Sequence, residues 1–206
     1  VYQLASSLPM LEIGVPGVEK VTDIKTIDWS KGKKIGPWYE RGTNTATERK
    51  LEGFVLHDGE NLYFKLVDYC EGENLVSSSI IFPADDWEIF LARQRGLPYR
   101  QIAFSPAGLI VVLSNGEINF RRNVTIEEHG VKVWPQVEKN CWTSVVKIPL
   151  KDVSLEGYKP GEKLYLNIVR VSSGKVNRKN TLGIETLVPF SSVHQLERLA
   201  EVRLEN

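Results

Sequence analysis

Phe82-Pro83-Ala84-Asp85-Asp86-Trp87-Glu88-Ile89-Phe90-Leu91 is followed, after a short connection, by Tyr99-Arg100-Gln101-Ile102-Ala103-Phe104. Successive side chains of a strand point to opposite faces, so Trp87, Ile89 and Leu91 share one face while Glu88 and Phe90 share the other. A carboxylate set among large apolar neighbours in a strand interior faces water, a partner or a ligand. The two runs therefore read as neighbouring strands on an edge or concave face of a β-sandwich. Carboxylates and aromatics offered together suit a polyhydroxylated ligand or a hard cation.

The same pattern extends outward. Lys50 to Leu56 and Leu62 to Tyr69 read as strands joined through His57-Asp58-Gly59-Glu60-Asn61, with Leu62, Phe64 and Leu66 on one face. Leu109 to Leu113 is an apolar run fit for the middle of a sheet. Asn115-Gly116 is a strong hairpin signal, from which Glu117 to Phe120 leaves. Val131 to Trp134, Trp142 to Ile148, Leu164 to Val171 and Leu199 to Leu204 complete the series, and Val193 to Ala200 also permits a helical turn or two. Short strands about ten residues apart, with Gly, Pro and Asn between them, predict an all-β, two-sheet, mainly antiparallel sandwich, jelly-roll-like, with little helix. The 206 residues read as a single domain, 1–206, with an irregular stretch 1–45 wrapping its edge.

Lys plus Arg and Asp plus Glu both number 26, a formal net charge of +0. That balance argues against nucleic-acid and anionic-membrane partners, which rely on basic surface. The two cysteines, Cys70 and Cys141, read as separate thiols. No apolar run approaches the length of a membrane span, and no signal peptide is visible at the start. There is no G-x-S-x-G, H-E-x-x-H or phosphate-cradling glycine loop, and His57, His129 and His194 lie far from any nucleophile motif.

Single residues carry competing readings. Asp85 and Asp86 are candidate metal ligands, for calcium in particular, because hard cations take oxygen donors; strand-entry turns explain such aspartates equally well. Arg170 sits in an apolar strand and calls for a partner such as Glu88 or Glu185, or for a ligand. Trp29, Trp87 and Trp142 fit the core, whereas Trp38 and Trp134, beside Pro37 and Pro135, are candidate exposed stacking platforms. The Lys31, Lys33, Lys34 and Arg121, Arg122 clusters read as solvated loops.

The order of segments resembles the family 9 carbohydrate-binding modules and their DOMON-like relatives. The matching stretches are Ile27-Asp28-Trp29, Asp58-Gly59-Glu60-Asn61-Leu62-Tyr63-Phe64, Asp85-Asp86-Trp87-Glu88-Ile89-Phe90-Leu91 and Trp142-Thr143-Ser144-Val145-Val146-Lys147-Ile148-Pro149. Leu166-Asn167-Ile168-Val169-Arg170 and the tail from His194 to Leu204 follow in the same order. The resemblance implies a slot between two aromatic rings that stack on a saccharide. Phe82 stands at the first ring position and Leu187 at the second, where leucine lacks a flat π face and Phe190 is a nearby substitute. Glu88 matches the carboxylate that binds sugar hydroxyls.

These readings together expect a non-catalytic saccharide- or polysaccharide-binding module, with Phe82, Glu88, Tyr99, Arg170 and Trp134 as ligand-binding residues. The resemblance further implies a secreted or periplasmic protein belonging to a larger glycan-degrading system. Two alternatives remain: a glycoside hydrolase or lyase using Glu88 and Asp86 as its carboxylate pair, and a structural or interaction domain that has lost its glycan site. Haem binding, known among DOMON-like relatives, needs an axial Met/His pair, and Met10 is the chain's one methionine.

Overall fold

The computed structural model describes residues 10–82 and 84–206. Residues 1–9 of the stretch expected to wrap the edge lie outside the described residues. Two sheets face each other, with strands numbered in chain order. One sheet runs β1 (Glu12–Val15), β14 (Ala200–Leu204), β12 (Leu164–Ser172), β6 (Asp86–Ala92), β7 (Tyr99–Phe104), β8 (Ile110–Asn115) and β9 (Arg121–Asn123). Alongside it, β13 (Gly183–Thr186) pairs with the second half of β12 and with β3 (Tyr39–Glu40). The other sheet runs β10 (Lys132–Glu138), β11 (Cys141–Pro149), β5 (Asn61–Asp68), β4 (Leu51–His57) and β2 (Lys33–Ile35). The pairings are antiparallel except β1 with β14, which is parallel. We call the first the large sheet and the second the small sheet.

Alternation sets what lies between them. Trp87, Ile89 and Leu91 of β6, Ile102 and Phe104 of β7, and Leu164, Leu166 and Ile168 of β12 meet Val55, Phe64, Leu66, Trp142 and Val146 of the small sheet. Trp87 packs against Trp38 edge to face at 5.4 Å and lies 6.4 Å from Trp142. Trp38 is thus core and no platform, only 4% exposed, because the chain folds its ring under the sheet despite the flanking proline. Trp29, expected in the core, is half-buried in a 3-10 turn instead.

The outer side of the large sheet carries a second apolar cluster, made of Phe90, Ala92, Tyr99, Val169, Val171 and Leu199. Val193 and Leu196 pack on it from the segment before β14, in which Leu196–Arg198 forms one 3-10 turn. β12 is accordingly apolar on both faces, as in a strand covered on both sides.

Arg170 is the exception on the inner face of β12. It is fully buried and bonds Asp68 of β5 through Nε at 2.9 Å and Asp85 at 3.0 Å. Its guanidinium lies 4.9 Å from the Trp142 ring centre and 5.9 Å from that of Trp87. Arg49 also donates to Asp68. Burial alone would raise the Asp68 carboxyl, and the two arginines overcome it, holding it below the ordinary range. Arg170 is therefore a tie between the sheets, with Asp68 and Asp85 in place of the expected Glu88 or Glu185.

Candidate functional site

The open part of the outer face of the large sheet lies over β6 to β9. Registration places Glu88 beside Ala103 and then Val111, and Phe90 beside Gln101, Leu113 and Asn123. Gln101 Nε2 donates to Glu88 Oε2 at 2.7 Å, while the other Gln101 polar atom, Oε1, is buried without a partner. Tyr99 shares the face and its hydroxyl meets His194 Nδ1 at 2.8 Å; the His194 ring stands edge-on to Phe90 at 5.5 Å. A recess of 500 Å³ opens over Val111 and Leu113, walled by Ser79 to Phe82 on one side and Arg121 to Asn123 on the other.

Electrostatics sharpen the strand face beside this recess. Glu88 is 3% exposed, and burial pushes its carboxyl up to about 7, with the Gln101 hydrogen bond and the Arg121 charge pulling the other way. The Arg121 charge is also felt at Tyr99 and His194, so this guanidinium reaches over the same patch. Two residues before Glu88 on the same strand face, Asp86 is fully buried and neither carboxylate oxygen has a hydrogen-bond partner. Burial, then the Glu88 charge, pushes its carboxyl up to about 9 against the opposing pull of Arg170.

The expected residues divide as follows. Phe82, Glu88 and Tyr99 come to this one face. Arg170 does not join them, because strand alternation turns it into the interior. Trp134 lies on the outer side of the small sheet, across the whole sandwich, and is 36% exposed. Asp85 and Asp86 form no shared cation site, since neighbouring strand residues face opposite ways. Asp85 is consumed by Arg170 and by the backbone N–H groups of Ser173 and Val76. Among the described residues no three His, Cys, Asp or Glu side chains are grouped to hold a metal ion.

Leu187 is 1% exposed in the core between the sheets, so it is no counterpart of a ligand-facing ring. Phe190, half-buried, adopts φ 56, and its N–H donates to Thr43 O at 2.7 Å. Sequence reasoning missed Gln101 and Arg121. Gln101 could have been found from its even spacing with Tyr99 on β7; Arg121 becomes visible only once β9 is paired with β8.

A larger hollow, of 770 Å³, lies at one end of the sandwich near Arg93, Glu117 and Tyr165. Its charges are already matched, Arg93 to Glu156 and Glu162 and Arg100 to Glu117. The Glu88 face, with its unmatched groups, is the stronger candidate.

This arrangement, two mainly antiparallel sheets with one open outer face, is the fold of the family 9 carbohydrate-binding modules. No protein-family model matches the chain, and no curated protein matches it. Among solved structures, a candidate carbohydrate-binding protein from Bacteroides uniformis superposes with a TM-score of 0.73 at 14% identity, over 96% of this chain and 100% of that one. A family 9 module from Caldicellulosiruptor kristjanssonii in complex with cellotriose gives 0.61 at 14% identity, over 95% and 94%. The glucose complex of a family 9 module from the same organism gives 0.59 at 15% identity, over 95% and 96%.

Proposed function

We propose that residues 1–206 form one non-catalytic carbohydrate-binding module that holds a saccharide on the Glu88 face of the large sheet. The observation that carries this reading is the Glu88–Gln101 pair, almost buried on the outer face of the large sheet with Gln101 Oε1 left without a partner, beside a recess lined by Phe82, Val111, Leu113 and Arg121. A buried polar group without a partner is costly, and sugar hydroxyls supply both donors and acceptors. Phe82 offers an apolar wall to a pyranose ring, and Arg121 a donor at the rim. The fold is shared with modules whose structures hold glucose and cellotriose.

Binding is favoured over hydrolysis by Asp86. Cleavage of a glycosidic bond needs two carboxyl groups that both reach the bond, and Asp86 is sealed from solvent. We infer a secreted or periplasmic setting and a place in a larger glycan-degrading system from the same fold. Among the described residues no helix is long and apolar enough to cross a membrane.

Hydrogen bonds to charged groups contribute about 1.5–3 kcal/mol each. With one half-buried ring in place of a two-sided clamp, monosaccharide binding should fall near the millimolar range, about −4 kcal/mol. Calorimetry with glucose, cellotriose and longer oligosaccharides tests this. Heat that saturates for the native chain and vanishes in folded Glu88→Ala and Phe82→Ala supports the reading. Undiminished heat in both variants refutes the site.

A further inference from the structure

The outer side of the small sheet gathers positive charge on adjacent strands. Lys132 of β10 stands directly opposite Lys147 of β11. Lys147 in turn faces Tyr63 of β5, which places Lys65, two residues on, at the diagonal position of the same face. Such neighbours have Cβ atoms about 5 Å apart when opposed and about 7–8 Å on the diagonal. Like charges directly opposite destabilise a ladder, and among the described residues none of these three lysines has a carboxylate or side-chain hydrogen-bond partner. Several other exposed bases are matched: Lys20 to Glu60, Lys163 to Glu201, Arg203 to Glu12 and Arg178 to Glu71.

An aromatic ring lies inside this cluster. Trp134 is two residues from Lys132 on β10 and opposite Val145, whose other neighbour is Lys65. It is 36% exposed, whereas Tyr63 on the same face is buried. Beside it runs a groove of 260 Å³ between the Val21–Lys25 segment and Tyr63, Lys132 and Lys147. Asp23, the acid lining that groove, already accepts from the Lys25 backbone N–H at 3.0 Å.

We propose that this face is a second binding site, for an anionic polysaccharide whose sugars each carry a carboxylate. The indole supplies a flat apolar surface for one pyranose ring. The three ammonium groups, on flexible stems that keep their heads in water, pair with carboxylates of that sugar and its neighbours. The like-charged opposition of Lys132 and Lys147 is then relieved on binding. Three free cations are too few for duplex nucleic acid, where a protein typically neutralises about six to ten phosphates. The site lies on the opposite layer from Glu88, so it stands or falls separately from the neutral-saccharide site.

The test uses the full chain in affinity gels containing polygalacturonate, its fully methyl-esterified form or duplex DNA, with calorimetry at 20 and 300 mM NaCl. Polygalacturonate should retard the native protein and the neutral ester should not. Raising the salt should weaken binding at least tenfold, because exposed charges are screened within about 10 Å at 0.1 M. Trp134→Ala should weaken it about tenfold. Combined Lys65→Gln, Lys132→Gln and Lys147→Gln should abolish it, with an unfolding midpoint no lower than the native chain's and unchanged cellotriose binding. Equal retention by the ester or by DNA, or full retention of the triple variant, would overturn the proposal. Lost cellotriose binding with intact polygalacturonate retention would count against the Glu88 site alone.

Discussion

Asp86→Asn isolates one buried proton. In the folded protein this carboxyl is sealed, unpartnered and raised to about 9, against an ordinary value of 3.8. Between those two values the folded chain keeps a proton that the unfolded chain releases. The folded state binds more protons across this window, so stability is full below about pH 4 and falls as pH rises towards 9. Each pH unit removes about 1.4 kcal/mol. From pH 4 to pH 7, where the result depends only on the unfolded value, the loss is about 4 kcal/mol, a large part of a typical domain's 5–15 kcal/mol. Asparagine mimics the protonated carboxyl and has no proton to hold. The variant should therefore match the native protein near pH 4 and exceed it by about 4 kcal/mol at pH 7. Carboxylates held low, such as Asp68, slope the other way but cancel in the comparison. Urea titrations followed by tryptophan fluorescence at several pH values give both curves. Parallel curves would refute the reasoning, meaning that Asp86 is ionised and satisfied in the folded state.

Arg170→Met should cost about 3–5 kcal/mol in denaturant titration, since it takes the shared guanidinium from two buried carboxylates and leaves Asp68 only Arg49 and Asp85 only backbone N–H groups; a cost under 1 kcal/mol would dissolve the inter-sheet tie. Leu187→Trp should destabilise by about 1–3 kcal/mol through overpacking and leave saccharide affinity unchanged; tighter binding would restore Leu187 as a ligand-facing position. Saccharide affinity should fall as pH drops through about 7, as Glu88 takes up a proton and loses acceptor strength. A flat calorimetric pH profile, or one unchanged in Glu88→Gln, would remove Glu88 from the site.

Alternation alone made the middle strands legible. Trp87 and Glu88 fall on opposite faces as their positions require, and Leu164 to Val171 is apolar on both sides because a second cluster covers it. The early strands β1 to β3 were illegible, since they are two to four residues long and are held at sheet edges by pairing rather than pattern. The Asn115-Gly116 signal gave the hairpin but not its length. Gly116 turns with φ 81 and bonds Phe120 O, while Glu117 is drawn inward by Arg100 and Ser114, so β9 starts only at Arg121. Arg121 thereby moves from an expected solvated loop to the rim of the recess. Trp38 shows the same limit: Pro37 marks a loop locally, and only tertiary packing against Trp87 makes the ring core. Asp68, the main partner of Arg170, lies 102 residues away, beyond any local pattern.

An amide-resolved NMR titration of the isotopically labelled chain with cellotriose tests the central claim most directly. The account predicts saturable shifts concentrated at Glu88, Tyr99, Gln101 and Arg121 and in the backbone around Phe82, with the β10–β11 face silent to this neutral sugar. Shifts confined to that opposite face, or none at tens of millimolar cellotriose, would contradict it.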